Sequence, residues 1–220
     1  MNIHNPAITV PPVQQSEPSK GERTREKILD LAYDMVIQKG FAATSIEELV
    51  EAAGITKSGF FYHFRDKNDL AQAVMNRFYS SVGERMDTTS ARARDLTEDP
   101  LHGYLIYLKL YAELMQNSAA ENPGCLAATV AFQERAFPRE VHAINEAGVR
   151  DWRAKNLEWL QRIAAVYPPQ SEIDIESMAD AANSAAIGGL ALAKAMNDPA
   201  VAASQMLVFR ELIRQVFLPR

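Results

Sequence analysis

Cysteine and long apolar runs are scarce in this 220-residue sequence, and each scarcity excludes a class of protein. The single cysteine, Cys125, excludes an internal disulfide framework and any site built from clustered thiolates. No uninterrupted apolar run approaches the roughly 20 residues that a membrane helix needs, and the N-terminus lacks a basic region followed by an apolar core. We therefore expect a soluble protein of the cytoplasm.

Sequence motifs of catalysis are also missing. The chain has no glycine-rich loop of the kind that holds phosphate and no nucleophile motif. Its four histidines, His4, His63, His102 and His142, do not follow the spacing of a metal site. We therefore expect no enzyme activity, no cofactor and no metal ion.

The net charge of -5 is unevenly distributed along the chain. Residues 1–80 hold 9 Lys and Arg against 10 Asp and Glu, whereas residues 81–220 hold 14 against 18. Within the first part, residues 20–27 hold 4 basic against 2 acidic side chains, and residues 56–67 hold 3 against 1. Such patches serve as phosphate contacts in some proteins and are ordinary solvated charges in others.

Apolar residues recur at three- and four-residue spacing through most of the chain, which predicts an all-α protein. Ser45 and Glu48 form a capping-box pattern, and a polar run from Thr88 to Asp99 predicts a break. The predicted helices are Thr24 to Gly40, Ser45 to Ala53, Thr56 to Phe64, Asp66 to Asp87, Leu101 to Asn117, Leu126 to Phe137, Pro138 to Val166, Glu172 to Met196 and Pro199 to Phe217.

The second and third predicted helices, joined by a tight turn at Gly54, form a helix-turn-helix. In this motif the first residues of the second helix enter the DNA major groove, while neighbouring groups hold the phosphates. The pattern also fits an ordinary helical corner, in which Thr56 is only a cap and His63 is structural. The predicted DNA contacts are Thr44, Ser45, Thr56, Lys57, Ser58, Gly59, Tyr62, His63 and Lys67.

Three stretches of the N-terminal part follow one another in register. They are Thr24-Arg-Glu-Lys-Ile-Leu-Asp-Leu-Ala, Gly40-Phe-Ala-Ala-Thr-Ser-Ile-Glu-Glu-Leu and Ala53-Gly-Ile-Thr-Lys-Ser-Gly-Phe-Phe-Tyr-His-Phe-Arg-Asp-Lys-Asn-Asp-Leu70. Together they resemble the DNA-binding domain of the TetR family of bacterial transcriptional regulators. The sequence departs from the family pattern at Phe61, where tyrosine is commoner, and at Arg65, where proline is frequent.

The resemblance implies a homodimer of all-helical subunits that binds a DNA operator and a small-molecule effector. It implies that Thr56, Lys57 and Ser58 start the recognition helix, and that Lys67 opens the fourth helix. We accordingly expect a flexible arm in residues 1–22, a helix-turn-helix domain with its linking helix in residues 23–88, and an effector-binding and dimerisation domain in residues 89–220.

Aromatic and apolar residues share one face of the fifth predicted helix and one face of the seventh, which predicts a pocket between them. Each of these residues also fits simple core packing. Cys125 follows Asn122-Pro123-Gly124 at a helix start, where free amides lower a thiol pKa. The segment Gly124-Cys-Leu resembles one in a branch of the family that responds to electrophiles, although a buried, inert cysteine is the alternative. The predicted effector-binding residues are Tyr104, Leu108, Tyr111, Met115, Cys125, Trp152 and Trp159.

Small and apolar residues of the last two helices predict a four-helix dimer interface. They are Ala181, Ala182, Ala185, Ala186, Gly188, Gly189, Leu190, Ala191, Leu192, Ala193, Met206, Leu207, Phe209, Leu212, Ile213 and Phe217. The predicted function is a repressor that leaves a palindromic operator in the bacterial nucleoid when an effector binds. An activator on the same fold, and a helical interaction protein that has lost DNA binding, remain as alternatives.

Overall fold

The computed structural model describes residues 19–121 and 124–218, which contain helices and no strand. The α-helices of this part are α1 (Lys20–Lys39), α2 (Ile46–Ala53), α3 (Lys57–His63), α4 (Lys67–Leu96), α5 (Pro100–Glu121), α6 (Leu126–Phe132), α7 (Arg139–Val166), α8 (Ile175–Met196) and α9 (Ala200–Phe217). A 3-10 helix, Glu134–Ala136, follows α6. The all-α prediction is confirmed. None of these helices is long and apolar enough to cross a membrane.

Helix α1 begins four residues earlier than predicted, at Lys20 rather than Thr24. The Ser19 hydroxyl accepts a hydrogen bond from the Glu22 amide, and the Glu22 carboxylate accepts one from the Ser19 amide at 2.7 Å. This reciprocal pair is a capping box, which satisfies two amides that a helix start leaves free. Residues 20–22 are therefore helical, and the rest of the predicted arm, residues 1–18, lies outside the described residues.

Local capping signals set the starts of the next helices, as predicted. Ser45 and Glu48 make both bonds of a capping box at the start of α2. Thr56 caps α3, and the Asp66 carboxylate accepts from the Asp69 amide at the start of α4. Gly54, between α2 and α3, has a φ of 67° and a ψ of 38°, a left-handed conformation that glycine adopts without strain.

The predicted break at Thr88 is wrong, because α4 continues without interruption to Leu96. Met86, Thr89 and Ala93 are buried and extend the apolar stripe of α4 past the expected end. Burial of Thr89 leaves no group unsatisfied, since its hydroxyl donates to the Arg85 carbonyl one turn earlier. The expected domain boundary at residue 89 therefore falls inside one helix.

The described residues form two main apolar cores. The N-terminal core joins α1 to α4, and it also includes Leu126 and Val130 of α6 and Val141 of α7. The second core lies among α5, α7, α8 and α9. Because α6 belongs to the core of the helix-turn-helix part, a displacement of α6 acts directly on that part.

Close packing of α8 against α9 uses small residues that were predicted to lie in a dimer interface. A Cβ atom on Gly189 would lie 3.2 Å from the Ala202 carbonyl oxygen, so the two helices approach through glycine. Met206, Phe209, Ile213 and Phe217 are likewise buried within the same chain. Five members of the predicted interface set, Gly189, Met206, Phe209, Ile213 and Phe217, therefore pack within their own chain, and the prediction that part of the set forms a dimer interface rests on the other members. The large apolar side chains that α8 and α9 leave exposed are Leu192, Met196, Leu207, Val208 and Leu212.

Candidate DNA-binding surface and effector cavity

The start of α3 is exposed and polar. Thr56 lies at the N-cap, where its hydroxyl oxygen accepts a hydrogen bond from the Gly59 amide at 3.1 Å. Lys57 and Ser58 follow, and both side chains are exposed. The buried side of the short helix is formed by Phe60, which is fully covered by the N-terminal core. The fold thus holds one face of α3 inside and presents the predicted groove-contacting face to solvent.

Lys57 carries the positive charge of this surface and is paired with an acid of the preceding helix. Its Nζ atom lies 2.6 Å from Oε1 of Glu47, and both side chains are more than half exposed. The hydrogen bond from Lys57 lowers the pKa of the Glu47 carboxyl group. Exposed ion pairs of this kind contribute little to stability. Lys57 is therefore free to exchange its carboxylate partner for another anion.

The end of α3 presents a second polar group. Tyr62 is 83% exposed and its ring contacts the His63 ring edge to face, with centroids 5.0 Å apart. Phe64 is buried, and Phe61 is half exposed. The end of α3 thus presents the Tyr62 phenol to solvent, with the His63 ring against it.

Thr44 is placed differently from the prediction, whereas Ser45 stays a predicted contact. Thr44 is 2% exposed and its hydroxyl donates to the Gly40 carbonyl, so it is buried away from any phosphate, and its predicted DNA contact is corrected. The Ser45 hydroxyl is used in the capping box of α2, and the residue is partly exposed.

Lys67 holds the loop between α1 and α2. Its Nζ atom donates to the Phe41 carbonyl at 2.7 Å and lies 4.3 Å from the centre of the Phe41 ring. Partial burial lowers the pKa of the ammonium group. Lys67 therefore has partners inside the domain, and its contact with a phosphate stays a prediction.

A cavity of about 660 Å³ lies between the helix-turn-helix part and the second core. Helices α1, α4, α5, α7 and α8 all contribute to its wall, so it extends beyond the predicted pocket between the fifth and seventh helices. The predicted residues that line it are Leu108, Tyr111, Met115, Cys125 and Trp152.

Tyr104 and Trp159 do not line the cavity, and their assignment to it is corrected. Tyr104 is fully buried, and its hydroxyl donates to Oδ1 of Asn156 at 2.9 Å. The Trp159 ring packs against Gly103, where a Cβ atom would lie 3.2 Å away, and beneath the guanidinium of Arg94. Both rings belong to the second core.

Sequence reasoning missed several polar residues of the cavity wall. Tyr33 comes from α1, Arg77 and Arg85 come from α4, and Asn183 comes from α8. None of them carries a local motif, because they share a cavity only through the packing of distant helices. Only Tyr107 could have been identified as a cavity residue from the sequence, because it is next to Leu108 on the predicted face of α5.

Comparisons with known proteins bear first on the helix-turn-helix part. Residues 28–74 match the model of the family described as bacterial regulatory proteins, tetR family. The structure places these residues in α1 to α4, with the tight turn and the exposed α3 start described above. The helix-turn-helix part of the chain matches the TetR family.

Relatives and solved structures agree with this similarity. The HTH-type transcriptional regulator AcrR of Shigella flexneri is 27% identical over 128 residues, which are 58% of this chain and 57% of that protein. The HTH-type transcriptional repressor NemR of Escherichia coli is 22% identical over 127 residues, 58% of this chain and 62% of NemR. The alignments thus span less than two thirds of either relative. The structure of a TetR-family regulator from Agrobacterium tumefaciens has the same fold, with a TM-score of 0.75, 19% identity and coverage of 90% of this chain and all of that one.

Cys125 is buried at the N-cap of α6. Burial raises the pKa of its thiol, although hydrogen bonds with the Ala128 and Ala127 amides act in the opposite direction. Desolvation thus outweighs the amides of the helix start, which supports the alternative of a buried, inert cysteine. Cys125 contributes to the cavity as a small apolar side chain.

Three distant parts of the chain meet beside the cavity. The Lys194 ammonium, near the end of α8, donates to the Ile37 carbonyl near the end of α1 at 2.6 Å. A Cβ atom on Gly124 would lie 3.1 Å from Cγ2 of Ile37 and 3.7 Å from Nζ of Lys194. Gly124 directly precedes Cys125 of the cavity wall. The contact joins the cavity to the first helix of the DNA-binding domain.

Proposed function

We propose that this TetR-family protein is a ligand-responsive transcriptional regulator that binds a palindromic operator as a homodimer. The observation that carries the proposal is the exposed start of α3, with Thr56, Lys57 and Ser58 held outward by the buried Phe60. In helix-turn-helix proteins this end of the second helix enters the major groove. Gly59, beside these residues, permits close approach of the backbone to DNA.

Within this proposal, base and phosphate contacts are divided along α3. Lys57 exchanges Glu47 for a base edge or a phosphate, since the ion pair between them is exposed. Tyr62 and His63 at the other end donate to phosphate oxygens, which fix the position of the helix.

The exposed apolar face of α8 and α9 is proposed to pair with the same face of a second chain. Two recognition helices reach successive half-sites when they lie roughly 34 to 36 Å apart. A two-fold axis through this face gives each half-site the same contacts, which is why the operator is expected to be palindromic.

A small molecule in the cavity is proposed to change the spacing of the recognition helices and release the operator, which makes the protein a repressor. Support comes from the position of the cavity between the two cores and from the Lys194 contact with α1. The ligand must bind the two states with different affinity, and a difference of about 1 to 3 kcal/mol is typical of such coupling.

Selection of genomic fragments with the purified full-length protein tests the proposal. At about 150 mM salt, we expect enrichment of one palindromic sequence, since sequence-specific affinity exceeds non-specific affinity at this ionic strength. Lys57→Ala should weaken binding and alter the preferred sequence, whereas the control Lys109→Ala, on the exposed side of α5, should leave both unchanged. Failure of a folded, dimeric protein to enrich any sequence would contradict DNA recognition and favour a protein-interaction role.

A further inference from the structure

The charges that line the cavity are not all balanced within the protein. Arg77 is neutralised, since its guanidinium lies 3.0 Å from Glu26 and 2.7 Å from Asp30. Asp34 has an interaction of its own. Arg85 has no carboxylate within ion-pair distance among the described residues, and its Nε atom donates only to the Ser81 carbonyl at 3.3 Å. The Arg85 guanidinium thus keeps most of its five N–H groups for another partner.

Hydroxyl groups without a protein partner lie in the same cavity. Within the described residues, the phenols of Tyr33, Tyr107 and Tyr111 make no hydrogen bond, although all three residues line the cavity and Tyr107 is 3% exposed. The charge of Arg85 acts on two of them. It lowers the pKa of Tyr33 and of Tyr111, against the larger effect of burial that raises the pKa of both.

Glu121 is an acidic residue of the cavity wall, and its negative charge would oppose the binding of an anion. It lines the cavity, is exposed and has no ion-pair partner among the described residues. It is the last residue of α5, ten residues or about 15 Å along the helix axis from Tyr111. The unpartnered groups that converge are therefore a cation and neutral donors, which match an anion.

We propose that the cavity binds an organic carboxylate whose acidic group contacts the Arg85 guanidinium and the hydroxyls of Tyr33 and Tyr111. The proposal rests on the ligand-responsive function above and names the chemical class of the ligand. Arginine forms paired hydrogen bonds with a carboxylate, and phenols donate to its remaining lone pairs. The rest of the ligand is apolar, because Met86, Met115 and Trp152 line the same cavity.

The test measures binding of three carboxylates to the full-length protein by thermal denaturation and calorimetry. The probes are hexanoate, benzoate and phenylacetate, each compared at equal ionic strength with its amide and with the amine of the same apolar part. At least one carboxylate should raise the melting temperature, since a ligand that binds only the folded state stabilises it. The matched amide and amine should not, because they lack the negative charge.

Variants of α4 and α5 identify the groups involved. Arg85→Gln should weaken carboxylate binding by at least about tenfold, as expected for loss of a charged hydrogen-bond partner. Tyr111→Phe, which keeps the ring, should weaken it by about twofold to tenfold. Arg92→Gln, a control seven residues along α4 that does not line the cavity, should bind as wild type.

Several results would overturn the proposal. They are stabilisation by the amines in place of the carboxylates, equal stabilisation by the amides, undiminished binding to Arg85→Gln, and absence of stabilisation by all three carboxylates. Arg85 is exposed, so the unliganded variant should melt at the wild-type temperature. The fragment selection is independent of these probes: an enriched operator without carboxylate binding rejects the ligand class alone, and carboxylate binding without an operator rejects the regulator function.

Discussion

Replacement of Lys194 by methionine tests whether the contact between α8 and α1 stabilises the folded chain. The Ile37 carbonyl is one of the last four of α1, which have no donor within the helix. Ile37 is 3% exposed, and the Lys194 ammonium supplies the missing donor at 2.6 Å. Methionine keeps an unbranched stem of similar length but provides no hydrogen-bond donor.

The expected loss follows from the environment of the carbonyl. A buried polar group that loses its partner costs about 1 to 3 kcal/mol, and a cation at a helix C-terminus adds a favourable interaction with the macrodipole. Lys194 is largely exposed, so water replaces part of the bond, and we expect the free energy of unfolding to fall by about 1 kcal/mol. For a chain of this size, that change lowers the melting temperature by about 2 to 4 °C.

Circular dichroism at fixed protein concentration measures the effect, with two comparison variants. Lys194→Arg keeps a donor and should restore most of the lost stability. Lys109→Met removes an exposed lysine of α5 that has no ion-pair partner among the described residues, and should change little. An unchanged melting temperature in Lys194→Met would refute the reasoning, because the Ile37 carbonyl would then need no donor from α8.

Three other substitutions or conditions have expected outcomes. Glu47→Gln should raise DNA affinity about two- to threefold, because Lys57 then binds a phosphate without first breaking an ion pair. Fluorescence anisotropy with labelled DNA measures this affinity. Gly148→Ala should lower the free energy of unfolding by about 1 to 3 kcal/mol in urea titrations, because the new Cβ atom would lie 2.1 Å from the Tyr79 ring. The pKa of Glu48 is lowered from 4.5 to about 2 by a hydrogen bond from the lysine that ends α1, so thermal melts should show its contribution intact above pH 4.5 and lost as the pH falls towards 2.

Each of these expectations has a control in the same region. Glu51→Gln removes an acid of α2 that has no ion-pair partner among the described residues, so a gain in DNA affinity as large as that of Glu47→Gln would point to general charge alone. Gly188→Ala should stabilise the chain, since nothing lies within 4 Å of the new Cβ atom in the helix interior. A Gly148→Ala variant as stable as wild type would mean that the Tyr79 ring moves aside at no cost. In Glu48→Gln, the melting temperature should lack the fall that Glu48 contributes below pH 4.5. A pH profile identical to that of the wild type would contradict the assignment of this fall to Glu48.

Short-range signals predicted the helix starts well because the groups that cap a helix are neighbours in sequence. The caps of α2 and α3 depend on hydrogen bonds from Ser45 and Thr56 to groups only three residues later in the sequence. The same rule explains the missed start of α1, where Ser19 and Glu22 form an equal pattern in front of the first apolar residue. The prediction for α4 ended the helix too early, because it treated polar residues such as Thr89 as exposed. The Thr89 hydroxyl donates to a carbonyl of its own helix, so the side chain can be buried without losing a hydrogen bond.

Tertiary packing, which local spacing does not encode, decided the rest of the candidate site. The cavity draws side chains from six helices, and Arg85 enters it from a stretch that the sequence presents as an ordinary polar helix face. Residue type also did not predict which side chains are buried. Thr44 is a polar residue but is buried at the turn before α2, and Tyr104 lies in the core rather than in the cavity wall. Small residues of α8 were assigned to a second chain, although Gly189 packs against α9 of its own chain.

The uninterrupted course of α4 has a mechanical consequence. Its 30 residues begin beside α3 and end among the helices of the second core, a length of about 45 Å at 1.5 Å per residue. A rod of that length, tilted by about 5° at one end, displaces the other by about 4 Å. Successive phosphates on a DNA strand are about 3.4 Å apart along the axis. A tilt of α4 by about 5° therefore corresponds to a full base-pair step at the end of the helix beside α3.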